Sequence, residues 1–244
     1  MENSKVRLCS AKELIGSLEA GSVNLIATDP PYGTGKYHQI STPTDKHKPK
    51  YKDNNPAVMF KEITEMLNLA HDKLADDGMV AVILNNILAH RLYIWFEDHP
   101  FYYVQSEILW HTELGNVSKK WWPNKHHYVI WASKSPKPKF DIDGVPEVVR
   151  KAPKEGYLGA KKATSVLTYT LSSTDPERAG YPNQKPLYLM DAIVRSSTAE
   201  GDLVVDPYVG SGATVVAAAM SGRDYLASDT NSDAVEITKK RLEF

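Results

Sequence analysis

The chain carries a four-residue segment, Asp29-Pro30-Pro31-Tyr32, directly after an apolar run at 23–27. A short apolar run bounded by turn residues predicts a buried parallel strand, and ligands of open α/β sheets sit at the carboxyl ends of such strands. A carboxylate, two rigid positions without N–H donors and an aromatic ring suit the binding of a flat ring that bears an amine. Taken alone, the segment fits a Pro-Pro turn with a capping aspartate equally well.

A second set of residues suited to ligand binding lies near the carboxyl end of the chain. The apolar segment 203–205 leads into a loop that contains Asp206, Tyr208, Gly210, Ser211 and Gly212. The stretch of small residues that follows predicts a helix, and glycines at a strand-to-helix turn let the backbone approach a ligand. The next predicted strand, 225–228, ends in Asp229, 17 residues after Gly212, where an acid can accept hydrogen bonds from ribose hydroxyls.

Together these segments resemble the β-class amino-methyltransferases of DNA, which use S-adenosylmethionine (SAM). Asp29-Pro30-Pro31-Tyr32 is similar to their catalytic motif, 206–212 to their SAM loop with Tyr208 in place of the usual phenylalanine, and 181–186 to their lysine-proline motif. The catalytic motif comes first and the SAM loop last, as in that class. The resemblance implies an α/β fold, a circularly permuted Rossmann-like methyltransferase with a mixed, mostly parallel seven-stranded sheet and helices on both faces.

The resemblance also implies site residues. The predicted catalytic residues are Asp29, Pro30, Pro31 and Tyr32, with Asp29 and the Pro30 carbonyl accepting from the amine of a flipped-out base and Tyr32 stacking on that base. The predicted SAM-binding residues are Cys9, Ser10, Lys185, Asp206, Tyr208, Gly210, Ser211, Gly212, Thr214 and Asp229. Cys9-Ser10 replaces the Gly-Asp that is usual in the family. Lys185 either contacts the SAM carboxylate or lies at the start of a helix without a role in binding.

The activity that the resemblance implies is methylation of adenine N6 in double-stranded DNA, because aspartate at the first motif position is the family's adenine preference. Cytosine-N4 methylation is the alternative, although enzymes of that kind more often carry serine there. Protein glutamine methylation fits less well, since its motif usually begins with asparagine. A non-catalytic SAM- and DNA-binding module would have no reason to keep all the polar groups of the site. Such enzymes are typical of bacteria and phages, as orphans or in restriction-modification pairs.

The charge distribution agrees with a DNA partner. The net charge is −1, yet the segment 33–56 carries +3 and the segment 117–162 carries +7, so the remainder is acidic. Basic charge gathered in polar segments is an electrostatic footprint for phosphates, although lysine-rich solvated loops alone would look the same. We therefore expect a mobile basic loop at 33–56 and a short target-recognition insertion at 134–180.

Composition limits the number of domains, the use of disulfides and the cellular compartment. The 244 residues, 42% of them apolar, suit one catalytic domain spanning 1–244. Cys9 is the single cysteine, which excludes an intramolecular disulfide framework and a cysteine-rich metal site and suits the cytoplasm. No targeting segment or membrane span is expected, nor a metal, and a homodimer is possible because many relatives pair.

Apolar periodicity predicts the other elements. Strands are expected at 5–9, 23–28, 79–84, 102–110 and 127–131. The family resemblance implies that the first lies beside the strand that ends in Asp229, and that the strand ending in Asp206 lies beside the one that leads into Asp29. Helices are expected at 11–18, from Met59 to Leu74 with Asp77-Gly78 as its end, at 88–96, and after Pro186. The segment 134–165 is expected to be irregular, and His126 and His127 to point to opposite faces of a strand and serve packing or phosphate contact.

Overall fold

The computed structural model describes residues 5–35, 37–39, 50–113, 119–120, 122–145, 148–152, 156–161, 164–172 and 174–243. The strands are β1 (Lys5–Leu8), β2 (Val23–Thr28), β3 (Tyr37–Gln39), β4 (Lys50–Lys52), β5 (Leu74–Leu84), β6 (Tyr103–His111), β7 (His126–Ser133), β8 (Val148–Ala152), β9 (Gly156–Lys161), β10 (Val166–Thr168), β11 (Leu203–Asp206) and β12 (Asp224–Asp229). The α-helices are α1 (Ala11–Gly16), α2 (Pro56–Ala70), α3 (Asn86–Asp98), α4 (Leu187–Ser197), α5 (Ala213–Met220) and α6 (Ser232–Arg241).

Eight strands form the main sheet, in the order β1-β12-β11-β2-β5-β7-β6-β10. Neighbours run parallel except where β7 pairs antiparallel with β5 and β6. The predicted fold class is confirmed, as are the predicted neighbours β1 with β12 and β11 with β2. The expected number of seven strands is wrong, because β10 adds an eighth strand parallel to β6. Three residues are too few to show an apolar period in the sequence.

Helices cover both faces of the sheet, which explains why its central strands are apolar throughout. In β2, Ile26 packs in a cluster with the buried residues of α1, α2 and α3, whereas Leu25 and Ala27 pack with α4 and α5. Successive side chains of a strand point to opposite faces, so a strand covered on both sides reads as a continuous apolar run. Burying each large aliphatic side chain contributes about 1.5–3 kcal/mol to stability.

Two boundaries predicted from the sequence are wrong. Helix α2 ends at Ala70 rather than at Leu74, because Leu74 already pairs with Val23 as the first residue of β5. Gly78 therefore lies inside β5, at an irregularity where an added Cβ would meet the Val23 carbonyl at 2.9 Å. The segment 134–165 is not wholly irregular, since β8 and β9 within it form an antiparallel pair.

The predicted loop at 33–56 contains the antiparallel pair of β3 and β4. Residues 36 and 40–49 of that prediction lie outside the described residues. Strands of three polar residues carry no alternation that would distinguish them from a loop. Within the described ranges, no helix has the length and apolar character that spanning a membrane requires.

Candidate active site

The carboxyl ends of β2, β11 and β12 meet at one edge of the sheet and line a cavity of about 540 Å³. This volume lies in the usual range of small-molecule sites. The cavity wall brings together twelve predicted site residues: Ser10, Asp29, Pro30, Pro31, Tyr32, Lys185, Asp206, Tyr208, Gly210, Ser211, Thr214 and Asp229. The other two predicted residues, Cys9 and Gly212, are not part of this wall.

Asp29 lies just past the end of β2, and both of its carboxylate oxygens are engaged. Oδ1 accepts a hydrogen bond of 2.7 Å from the Tyr32 hydroxyl, and Oδ2 accepts one of 2.5 Å from the Lys185 ammonium. The Asp29 side chain remains 25% exposed toward the cavity, whereas the Lys185 side chain is only 5% exposed. The carboxylate is therefore accessible to a ligand, while its counter-ion is covered by protein.

Two opposing effects act on the pKa of Asp29. Burial raises the pKa above its ordinary value, whereas the Lys185 ammonium and the hydrogen bonds from Lys185 and Tyr32 lower it. Loss of solvation disfavours the charged form of a carboxyl, and an adjacent cation favours it. Lys185 thus compensates for placing an acid where water is largely excluded.

His127 lies beside the predicted catalytic motif. The sequence did not indicate this proximity. Its ring stacks on Trp110 with centroids 5.1 Å apart and lies 5.4 Å from the Tyr32 ring. Burial lowers the pKa of His127 to about 3, with the nearby Lys185 charge as a further cause, so the ring is neutral. His126 instead bonds the Tyr128 hydroxyl. The alternation of the two histidines was predictable, but their neighbours were not.

Asp206 ends β11 and anchors the loop that follows. The Asp206 carboxylate, 2% exposed, accepts hydrogen bonds from the hydroxyls of Thr28 and Thr214 and from the backbone N–H of Tyr208. Thr28 is the last residue of β2, so this contact joins the ends of β2 and β11. Burial nevertheless raises the pKa of Asp206 to about 6.

This raised pKa makes the stability of the protein depend on pH. Between the ordinary pKa of 3.8 and about 6, the folded state holds a proton on Asp206 that the unfolded chain has released. The contribution of Asp206 to the free energy of unfolding therefore falls by about 3 kcal/mol as the pH rises through that window.

We expect Asp206→Asn to remove this loss, so the stability of the variant relative to wild type rises by about this much between pH 4 and pH 7. Urea unfolding at pH 4, 5, 6 and 7 measures the difference, with Asp98→Asn on the exposed end of α3 as the control. Parallel pH curves for wild type and Asp206→Asn would contradict the assignment.

The glycine loop between β11 and α5 is held from two sides. The backbone N–H of Gly210 donates to Asp229 Oδ2 at 3.0 Å, and that of Asn231 donates to Oδ1 at 2.9 Å. Gly210 has φ +48°, and an added Cβ would lie 3.1 Å from Cε1 of Tyr181. Asp229 thus organises the loop, whichever ligand it also contacts. Burial raises its pKa, and these backbone N–H groups oppose the rise.

Helix α6, for which the sequence analysis made no prediction, braces the same loop. Gly212 has φ +83°, and an added Cβ would lie 2.8 Å from the Thr238 side chain of α6. Arg241 of α6 donates to the Ser211 carbonyl at 2.6 Å. Gly212 is therefore required for helix packing and for the left-handed turn into α5.

The turn between β1 and α1 carries the predicted SAM-binding residues Cys9 and Ser10. Ser10 is the N-cap of α1 in a reciprocal capping box with Glu13, as its residue type predicts. The backbone N–H of Cys9 donates to the carbonyl of Asp229 at 3.2 Å. Cys9 thus keeps the turn against β12, while Ser10 faces the cavity.

Asp53 is a site residue that no sequence pattern indicated. Its carboxylate, 3% exposed, accepts hydrogen bonds from the backbone N–H groups of Gly33 and Thr34 at 2.9 and 2.7 Å and from the Thr34 hydroxyl at 2.9 Å. Gly33 and Thr34 directly follow Tyr32, so Asp53 holds the backbone that leaves the predicted catalytic motif. An isolated aspartate in a polar segment gave no signal for this contact.

The chain that forms this cavity matches a known protein family over most of its length. A sequence model of N6/N4 methyltransferases, described as DNA methylase, matches residues 23–240. The chain belongs to this DNA methylase family. The predicted family is therefore confirmed, and the DNA methylase domain covers both the Asp29 motif and the glycine loop.

A curated relative of this DNA methylase is the Type II methyltransferase M.HpaI of Haemophilus parainfluenzae. It is 26% identical over 245 residues, which cover 97% of this chain and 73% of M.HpaI.

Solved structures share the fold of this DNA methylase. The PvuII DNA methyltransferase, described as cytosine-N4-specific, aligns with a TM-score of 0.78 at 19% identity, over 99% of this chain and 87% of that chain. M1.HpyAVI in complex with SAM aligns with a TM-score of 0.66 at 19% identity, over 98% of this chain and 99% of the other.

Proposed function

We propose that this DNA methylase transfers a methyl group from SAM to the N6 amine of an adenine in double-stranded DNA. The observation that carries the proposal is that Asp29 and the glycine loop line one cavity. Their strands, β2 and β11, are direct neighbours in the sheet, and Thr28 and Asp206 join the two ends at 2.7 Å. An acceptor held by Asp29 and a donor held by the loop therefore meet above adjacent strand ends.

The cavity has a methyl-donor half, formed by the glycine loop, Asp229 and Lys185, and an acceptor half around Asp29. The residues of the methyl-donor half fit SAM. Gly210 brings a backbone without a side chain to the cavity wall, Asp229 presents a partly buried carboxylate at the end of β12, and Lys185 supplies a cation. These groups match a nucleoside with ribose hydroxyls that carries an amino-acid carboxylate. M1.HpyAVI, which has this fold, is known in complex with SAM. SAM supplies a methyl group bonded to a positively charged sulfur, so no covalent enzyme intermediate is needed.

The acceptor half is suited to an aromatic amine. The lone pair of such an amine is delocalised into its ring, which makes it a poor nucleophile. Asp29 and the Pro30 carbonyl accept its two N–H groups and draw the nitrogen toward tetrahedral geometry, while Tyr32 stacks on the base. The new N–C bond forms as the S–C bond breaks, the amine passes one proton to the Asp29 carboxylate or directly to water, and S-adenosylhomocysteine leaves.

DNA contact is assigned to the two basic segments, 33–56 and 117–162, the second of which overlaps the predicted insertion 134–180. The segment 33–56 begins at the catalytic motif itself and carries +3. The insertion 134–180 contains the β8–β9 ribbon, and antiparallel ribbons of this width fit the major groove. We assign target recognition to this insertion. The target amine is inaccessible inside a duplex, so the base has to be flipped out, at a cost of a few kcal/mol.

Adenine is favoured over cytosine by the aspartate at the first motif position. Cytosine-N4 methylation is the second candidate, because the PvuII enzyme of the same fold is described as cytosine-N4-specific. Both amines present the same two N–H groups to Asp29 and Pro30. The choice between them depends on the space around Tyr32 and on the recognition insertion.

The deciding experiment is transfer of labelled methyl from SAM to unmethylated duplex DNA, followed by mass spectrometry of the product nucleosides. We expect N6-methyladenine. N4-methylcytosine would keep the site and overturn the base assignment. SAM binding without label on DNA would overturn the proposed acceptor.

A further inference from the structure

Lys185 places an amine nitrogen on the carboxylate oxygen that the acceptor amine needs. It precedes α4, and its ammonium donates to Asp29 Oδ2 at 2.5 Å and to the Asn183 carbonyl at 2.9 Å. Asn183 has φ +55°, an uncommon value for a residue other than glycine. The backbone before α4 is thus shaped to turn a carbonyl toward this ammonium.

Lys185 also occupies space that a bound base would use. Its Nζ lies over the Tyr32 ring, 5.2 Å from the centroid, and 5.9 Å from that of Trp110. A base stacked on Tyr32 needs the volume directly above that ring. Each oxygen of Asp29 already accepts a hydrogen bond, Oδ1 from the Tyr32 hydroxyl and Oδ2 from the Lys185 ammonium. An incoming amine and Lys185 therefore compete for this carboxylate and for one region beside Tyr32.

We propose that the Lys185 ammonium occupies the position of the acceptor amine on Asp29 until the carboxylate of the cofactor binds Lys185 and displaces it from Asp29. This inference rests on the proposed function, whose donor and acceptor half-sites share the wall that holds Lys185. A buried ammonium leaves one anion only for another, because an unpaired buried charge is costly. The amino-acid carboxylate of SAM has the required charge and enters the same cavity.

The consequence is coupling between the two ligands. A ligand shifts an equilibrium by its difference in affinity for the two states. A cofactor with a carboxylate favours the state in which Asp29 is open, so it strengthens binding of the flipped base. A cofactor fragment without the carboxylate leaves Lys185 on Asp29 and lacks this effect. Lys185 is then a positioning residue that orders binding, with cofactor before base.

The test compares S-adenosylhomocysteine with 5′-methylthioadenosine, which lacks the amino-acid portion. The duplex carries the mapped methylation sequence with a mismatch at the target base, which reduces the cost of unpairing. With each ligand at saturation, fluorescence anisotropy gives the Kd of the duplex. We expect wild type to bind about tenfold more tightly with S-adenosylhomocysteine. In Lys185→Met we expect the two Kd values to agree within about twofold.

Lys73→Met is the control, because Lys73 is a partly buried lysine that donates to the Leu18 carbonyl at 2.8 Å and lies outside the cavity wall and both basic segments. It should keep the wild-type difference. Equal Kd values in wild type, a comparison that needs no variant to fold, would overturn the proposal, as would a tenfold difference that survives in Lys185→Met. If the proposed function itself is wrong, the protein will show neither methyl transfer nor binding of S-adenosylhomocysteine. That result would also exclude the proposal for Lys185.

Discussion

Replacing Asp29 with alanine is expected to abolish methyl transfer, with kcat falling by at least about 10³-fold, while SAM affinity stays within a few-fold of wild type. Asp29 is the carboxylate that faces the cavity beside Tyr32, whereas the loop of Gly210 and the carboxylate of Asp229 remain in place. Without Asp29, the acceptor amine keeps its lone pair delocalised in the ring. The effect therefore belongs to the chemical step.

Single-turnover transfer and calorimetric titration with SAM measure the two quantities separately. Removing Asp29 leaves the Lys185 ammonium without its carboxylate partner, so Asp29→Asn serves as a second variant of the same shape. Asp98→Ala, at an exposed position on α3, is the control and should behave as wild type. Loss of SAM binding in both Asp29 variants would mean that the donor and acceptor halves are wrongly assigned.

Replacing Gly210 with valine is expected to weaken SAM binding by about 100-fold or more, which corresponds to about 2.7 kcal/mol. Gly210 has φ +48°, a conformation that a β-branched residue tolerates poorly, and an added Cβ would press on the Tyr181 ring at 3.1 Å. The valine methyl groups would also shift the Gly210 N–H away from Asp229. The loop that approaches the cofactor would therefore lose its shape.

Gly201→Val provides a control for backbone strain alone. Gly201 has φ +81°, yet no atom lies within 4 Å of an added Cβ, and it is not part of the cavity wall. This variant should lose stability but keep SAM affinity, as measured by thermal unfolding and calorimetry. Normal SAM affinity in Gly210→Val would refute the assignment of the loop to the cofactor.

The sequence by itself was sufficient for the parts of the site that depend on short-range order. Asp206 and Asp229 end their strands, and Asp29 directly follows the last residue of β2. Parallel strands present their carboxyl ends at the same edge of the sheet. That β11 lies beside β2 was implied by the family resemblance of the two motifs, and the structure confirms it. These predictions hold because a strand's apolar run and the glycines of a turn are encoded by neighbouring residues.

Short or polar elements escaped prediction for the same reason. Strand β10 has three residues, and β8 and β9 lie in a segment rich in lysine, glycine and proline. Such stretches have no apolar period, so their pairing depends on the partner strand that the fold brings to them. Helix α6 is largely polar, and its place against Gly212 depends on Thr238, which no local pattern marks.

Only the tertiary structure decided how the charged and aromatic side chains of the site combine. Lys185 and Asp29 are 156 positions apart, and their contact exists because α4 begins beside the end of β2. The neighbours of His127 and the partners of Asp53 were hidden in the same way. Periodicity assigns a side chain to a face of an element, whereas its partner depends on the path of the whole chain. The sequence thus determined which polar groups follow the strands that meet at the cavity, and the fold determined that the Lys185 ammonium binds the Asp29 carboxylate.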